Sequence, residues 1–242
     1  MRDIWGDGYD WKEPVWRYVT AERFVWLMEN AKVYFPAASQ FSDPFEGAVA
    51  VLAPDYPIDP RYEEMDSSER AFFELKRLTK LNCWHRAQYE SDAMWKLYAG
   101  ESKGLAICST PARMRAAFHP FRLAPTYGIE DLWAGPVRYE DLMKVRLRAA
   151  GMLERFFYKH RAFEWEREFR LAISVRMAEE FGVSVPDDGI EVSVDLDALI
   201  EHIMLGPALT GPQVEQIIEH ARVAGLGKRV VKSSLLGYPR YV

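Results

Sequence analysis

Phe163-Glu164-Trp165-Glu166-Arg167-Glu168-Phe169-Arg170 alternates aromatic and charged residues and runs into Leu171-Ala172-Ile173-Ser174-Val175. Side chains on a strand point to opposite faces at every second residue, so this alternation predicts a strand. In that phase Glu164, Glu166, Glu168 and Arg170 share one face, and Phe163, Trp165 and Phe169 share the other. The apolar run predicts that the strand is an inner or near-inner member of a mixed sheet, with Phe169 and Leu171 packed against helices. A charged ladder beside a buried sheet is either a solvated face or the floor of a site.

Around this stretch the chain alternates irregularly between short strands and helices. Val15 to Val19, Lys32 to Phe35, Leu81 to His85, Gly104 to Cys108, Ile190 to Val194, Ile203 to Leu205 and Arg229 to Lys232 read as strands. Thr20, Ser91 and Thr110 stand where helix N-caps are wanted, and Pro111 follows at a first helical position. Thr210-Gly211-Pro212-Gln213 reads as a capping-box start for a helix ending near Gly225. Tyr139 to Ala162 reads as one long mixed-charge helix, and Ala53 to Met65 as irregular surface. The pattern predicts an α+β fold, a mixed sheet of short strands flanked by helices. No linker divides the chain, so residues 1–242 are expected to form a single domain.

The composition is that of an ordinary globular protein, with 49% hydrophobic and 28% charged residues among 242. A net charge of −5 argues against a broad nucleic-acid-binding surface, which needs an excess of Lys and Arg. The basic region from Lys144 to Arg161 fits a solvated helix face. Cys83 and Cys108 lie in separate apolar segments without metal-ligand spacing, which suits free thiols in a reducing compartment. No apolar run approaches the length of a membrane span, so a cytoplasmic protein of bacterial type is the expectation. The histidines are scattered, and neither a hydrolase triad nor a glycine-rich phosphate loop accompanies them.

Four segments carry a resemblance. They are Trp16-Arg17-Tyr18; Phe41-Ser42-Asp43-Pro44-Phe45-Glu46-Gly47; Met94-Trp95-Lys96-Leu97-Tyr98-Ala99 followed by Gly104-Leu105-Ala106-Ile107; and Glu166-Arg167-Glu168-Phe169-Arg170. In this order and spacing the chain resembles a bacterial family, domain of unknown function 2971, from about Trp16 to Ser234. Ser42 stands where that family usually has Asn, and Cys83-Trp84-His85-Arg86 departs from its usual small residue and Phe-Ser pair. At the level of layout alone, the chain also resembles ADP-ribosyltransferases, which carry a basic or aromatic early strand, an aromatic shelf and a later glutamate-x-glutamate.

The second likeness implies NAD as substrate, with a protein or nucleic acid as acceptor, and would suit a toxin or a phage-defence effector. Glu166 would be the principal catalytic group and Glu168 the one that orients the acceptor. Arg17, Tyr18, Asp43, Trp95, Tyr98 and Arg170 would line the nucleotide site. Each of these has a plain structural alternative: Arg17 on the surface, Tyr18 and Trp95 in the core, Asp43 as a loop latch through an Asx turn. The rival functions are a non-catalytic binding or regulatory domain, with a ligand or protein partner, and a metal-dependent nucleic-acid processing enzyme built on Asp43, Glu46 and Glu166.

Overall fold

The computed structural model describes residues 1–6, 8–49, 65–147 and 149–235. Among them the strands are β1 (Arg2–Asp3), β2 (Val15–Val19), β3 (Lys32–Pro36), β4 (Thr79–Arg86), β5 (Leu105–Ser109), β6 (Trp133–Pro136), β7 (Arg138–Glu140), β8 (Tyr158–His160), β9 (Glu168–Ser174), β10 (Gly189–Ser193), β11 (His202–Leu205) and β12 (Val230–Lys232). The helices are α1 (Ala21–Asn30), α2 (Met65–Leu78), α3 (Asp92–Tyr98), α4 (Pro111–Ala117), α5 (Arg176–Glu180), α6 (Leu196–Leu199) and α7 (Pro212–Val223). The protein is α+β, with mixed parallel and antiparallel strand pairing, as the alternation in the sequence implies. The segment Ala53 to Met65, read as irregular, lies outside the described residues except for Met65, which begins α2.

These residues form two compact units, each assembled from three stretches of chain. The first comprises Met1–Tyr9, Tyr34–Cys83 and Pro120–Glu191. The second comprises Asp10–Val33, Trp84–His119 and Val192–Val242.

In the first unit β1 pairs parallel to β6, β6 pairs antiparallel to β9, and β9 neighbours β4. The strand β9 is therefore an inner one, and every residue from Glu168 to Ile173 is buried. Phe169, Leu171 and Ile173 alternate with Glu168, Arg170 and Ala172. Ala172 packs with Ala38, Leu81, Phe156 and Phe157.

Two expectations fail here. Residues Arg161–Glu166 form a 3-10 helix, not the start of the strand, and Arg167 then adopts a left-handed conformation with φ 43°. The turn resets the phase: Glu164 is exposed, Trp165 faces solvent at 44%, and Glu166 enters the unit from a turn. The long helix from Tyr139 to Ala162 is also absent. Arg138–Glu140 and Tyr158–His160 instead pair as parallel strands, and Glu154–Phe157 makes a 3-10 turn. The mixed charges there supply no apolar helix stripe, and the adjacent Phe156 and Phe157 are both fully buried, which a one-faced surface helix does not achieve.

Gly47 closes the Asp43–Gly47 loop with φ +76°, and a Cβ built on it would lie 2.4 Å from the buried Phe156 ring. Gly47→Ala is expected to destabilise the protein by ~1–2 kcal/mol through its backbone alone, with the clash adding to that. A urea unfolding curve with a midpoint equal to wild type would show that the loop does not require glycine.

In the second unit β2 pairs antiparallel to β5, β5 antiparallel to β11, and β11 parallel to β12. Thr20, Ser91 and Thr110 cap α1, α3 and α4 as expected, each accepting a hydrogen bond from the backbone N–H three residues on. Phe24, Leu27 and Met28 form the buried stripe of α1. For α7 the capping box is not used. Gly211 is the N-cap, and no side chain caps the first turn.

Candidate functional site

The polar face of β9 is the centre of a buried charge network contained in the first unit. Glu168 and Arg170 come from β9, Lys159 from β8, Glu166 from the preceding 3-10 turn and Glu46 from the Asp43–Gly47 loop. All five are nine-tenths or more buried. The Arg170 guanidinium is fully enclosed. Its Nε donates to Glu168 Oε2 at 2.7 Å, and its Nη2 donates to Glu46 Oε2 and Glu168 Oε1, each at 3.0 Å. Its Nη1 donates to Glu46 Oε1 and to the Phe156 carbonyl. Every N–H of Arg170 therefore has an acceptor, and none is left for a phosphate in this arrangement. Phe41 lies under the guanidinium, 5.8 Å from ring centroid to Cζ.

Lys159 closes the outer end. Its ammonium donates to Glu166 Oε2 and, at 2.9 Å, to Glu168 Oε1, and sits 4.6 Å from the Phe163 ring centroid. The Glu168 backbone N–H donates to the Tyr139 hydroxyl at 2.8 Å. The Cys83 thiol on β4 faces the same carboxylate, and burial followed by that negative charge pushes it well above the ordinary thiol range.

The electrostatics divide the two glutamates. Burial works against Glu168, but the Arg170 and then the Lys159 charges more than offset it and hold its carboxyl well below the usual range. Glu166 is pushed up to about 7 by burial and by the hydrogen bond and repulsion from Glu168, against the pull of Lys159. Two neighbouring carboxyls with separated ionisation are the arrangement that acid–base chemistry uses.

The sign of the stability effect follows. Glu166 ionises in the unfolded chain near the ordinary ~4.3. The folded state therefore holds the extra proton, and the stability that this contributes is lost as pH rises from there through about 7. Glu166→Gln is expected to flatten the decline of unfolding free energy between about pH 5 and pH 8, since the amide does not titrate. Parallel wild-type and variant curves across that range would remove the neutral-pH titration.

Asp43 and Glu46 occupy the loop as an Asx turn and a buried anchor. Asp43 Oδ1 accepts the Phe45 N–H at 2.9 Å, and the Glu46 N–H donates to the Asp43 carbonyl at 3.2 Å. Asp43 Oδ2 is buried without a hydrogen-bond partner among the described residues. Both oxygens of Glu46 are committed to Arg170. Among the described residues no group of three or more His, Cys, Asp or Glu side chains is placed to hold a metal ion.

The remaining expected residues belong to the second unit. Tyr18 is buried with its hydroxyl accepting the Ser91 N–H at 2.8 Å, and its ring meets Trp95 edge-to-face at 4.9 Å. Trp95 is fully buried, and its Nε1 donates to Glu90 Oε2 at 2.8 Å. In this state neither ring offers a face to a planar ligand. Arg17 lies 6.0 Å from the Trp84 ring centroid, and Tyr98 is 45% exposed although it follows Trp95 by three residues on α3. Glu166, Glu168, Arg170 and Asp43 lie in the first unit, and Arg17, Tyr18, Trp95 and Tyr98 in the second.

Lys159 and Tyr139 are the site residues that sequence reading missed. Both fall in the stretch read as a helix, where neither is marked out. The signal available was the apolar pair Phe156-Phe157 before Tyr158-Lys159-His160, a short strand hidden among charges. Compared with protein-family models, characterised proteins and solved structures, the chain matches none.

Proposed function

We propose that the protein is an NAD-consuming enzyme of ADP-ribosyltransferase type, transferring ADP-ribose to a macromolecule or hydrolysing NAD+, with Glu166 at the reacting end of the network. The observation that supports it most is the Glu166 carboxyl, poised to ionise near neutral pH beside Glu168 and next to the exposed Trp165 and Arg167. A group with that ionisation can take a proton from an acceptor hydroxyl or a water at physiological pH. Glu168, ionised and fixed by Arg170 and Lys159, keeps Glu166 in place. Asp43 Oδ2, the unpartnered oxygen, is the further polar atom in this unit able to meet a ribose hydroxyl. The resemblance in sequence layout adds the expected glutamate-x-glutamate on a late strand, and an ADP-ribosyltransferase-like sheet belongs to the same proposal.

The second reading is a non-catalytic binding or regulatory domain. What favours it is that Arg170 and Lys159 already satisfy the carboxylates, so the network alone accounts for much of its own presence. The metal-dependent nuclease reading has less support, because both Glu46 oxygens are bound to Arg170. Incubating the protein with NAD+, with and without a cell lysate, and following nicotinamide release and ADP-ribosylated products by mass spectrometry separates the readings. Nicotinamide release above the protein-free control is expected. Neither binding nor consumption of NAD+ would leave the regulatory reading.

A further inference from the structure

The buried network contains the carboxyls of Glu46, Glu166 and Glu168 but only two cations, Lys159 and Arg170, all with side-chain exposure of 8% or less. One acid is thus uncompensated in a region where an unpaired charge is costly. The hydrogen bonds show where the imbalance is resolved. Glu46 receives two donors from Arg170, and Glu168 receives three from Arg170 and Lys159. Glu166 receives Lys159 on one oxygen and also stands within hydrogen-bonding reach of the Glu168 carboxyl. Two carboxylates have no donor between them. A hydrogen bond there requires a proton on one of the pair.

We propose that Glu166 and Glu168 share one proton at neutral pH, residing on the Glu166 side, and that Lys159 is the positioning residue that clamps the pair and sets the pH at which this proton leaves. The assignment deepens the proposed function by naming what regulates its site. The proton count itself holds whether or not NAD+ is the substrate. Arg170 fixes the side: it bonds both oxygens of Glu168, so Glu168 is the member that stays ionised. Lys159 bonds one oxygen of each carboxyl, so it both holds them together and favours loss of the proton. Behind this pair stand Glu46 from the loop, Cys83 from β4, Tyr139 from β7 and Lys76 from α2, whose charge acts on Glu46. Burial holds Cys83 and Tyr139 above their ordinary values, so both stay neutral around pH 7. Such a pair titrates as a unit, and the step seen near neutrality belongs to both groups.

The test is a carbon-13 titration of the protein labelled at glutamate side-chain carboxyls, from about pH 4 to pH 9, with the resonance assigned by its loss in Glu166→Gln. The wild-type signal is expected to titrate at about 7. In Lys159→Met, which removes the charge and keeps the stem, the midpoint is expected to rise by about one unit or more. Lys159→Arg, which keeps a cation, should bring it back toward the wild-type value. A structural role alone would not move the midpoint in opposite senses. A wild-type Glu166 titrating in the ordinary range of ~4–5 would overturn the proposal. So would an unchanged midpoint in folded Lys159→Met. Should that variant fail to fold, the wild-type titration and Lys159→Arg still decide: a midpoint near 7 retained in both supports the shared proton, and an ordinary value in either refutes it. The NAD+ assay is run separately. A neutral-pH titration without NAD+ consumption would sink the proposed function and leave the shared proton standing.

Discussion

Replacing Arg170 by methionine is expected to destabilise the protein by about 3–5 kcal/mol, the range for removing one partner of a buried ion pair. The large effect comes from what remains. Glu46 would lose both of its donors, and Glu168 would lose two of its three bonds while Lys159 remained the network's one cation. The Phe156 carbonyl would lose the donor that ties the Glu154–Phe157 turn to β9. The Asp43–Gly47 loop, held to the sheet through Glu46, should become the earliest segment to open. Arg170→Lys is expected to recover only part of the loss, because an ammonium cannot supply the planar, bidentate fork that Glu46 receives. Urea unfolding measures the cost, and amide exchange of residues 43–48 locates it. Wild-type stability in Arg170→Met would mean that the buried carboxyls take up protons at no net cost, and the charge network would then not be a stabilising element.

Glu166→Gln is expected to lower NAD+ consumption by on the order of 10²-fold or more, in line with the loss of one positioned charged group. Folding should survive, since the amide oxygen can still accept from Lys159 at the position of Glu166 Oε2. For the wild-type enzyme the rate should climb as pH rises through about 7, where Glu166 becomes the free base. The variant should lose this limb together with the activity. Full turnover by a folded Glu166→Gln protein would eliminate Glu166 as the reacting carboxyl. Activity that is lost while the pH limb persists in the residue would point to Glu168 or Asp43 instead.

Much of the architecture is readable from residue patterns, because strands and caps are local. The run Leu171 to Ile173 marks an inner strand wherever it is placed, and Thr20, Ser91 and Thr110 mark helix starts through one hydroxyl each. The site is only half legible. Glu166, Glu168 and Arg170 stand out through their spacing, but the spacing suggests a common strand face, and the left-handed Arg167 breaks it. The two glutamates meet because Lys159 draws them together, not because they alternate. Lys159 itself has no signature: a short parallel strand pair such as β7 and β8 depends on partners far apart in sequence, and helix-like charge spacing hides it. Glu46 was legible as part of an acidic turn, yet its role depends on a guanidinium 124 residues away. Pairing across such separations is a tertiary fact that local pattern does not carry.

The interleaving of the two units has a consequence for how the chain is made. The first unit draws its pieces from three stretches ending at Glu191, and the second resumes at Val192. A ribosome that has released only the first hundred residues has delivered β4 and the Glu46 loop, but not the strand that carries their arginine. Until β9 emerges, Glu46 is a solvated acid on an open segment, and the nascent polypeptide has no finished half to protect. Long-range closure of this kind is slow. Translation pausing or early termination between residues 86 and 168 should therefore yield protease-sensitive fragments rather than a folded piece, and chaperone engagement should persist until β9 has cleared the exit tunnel.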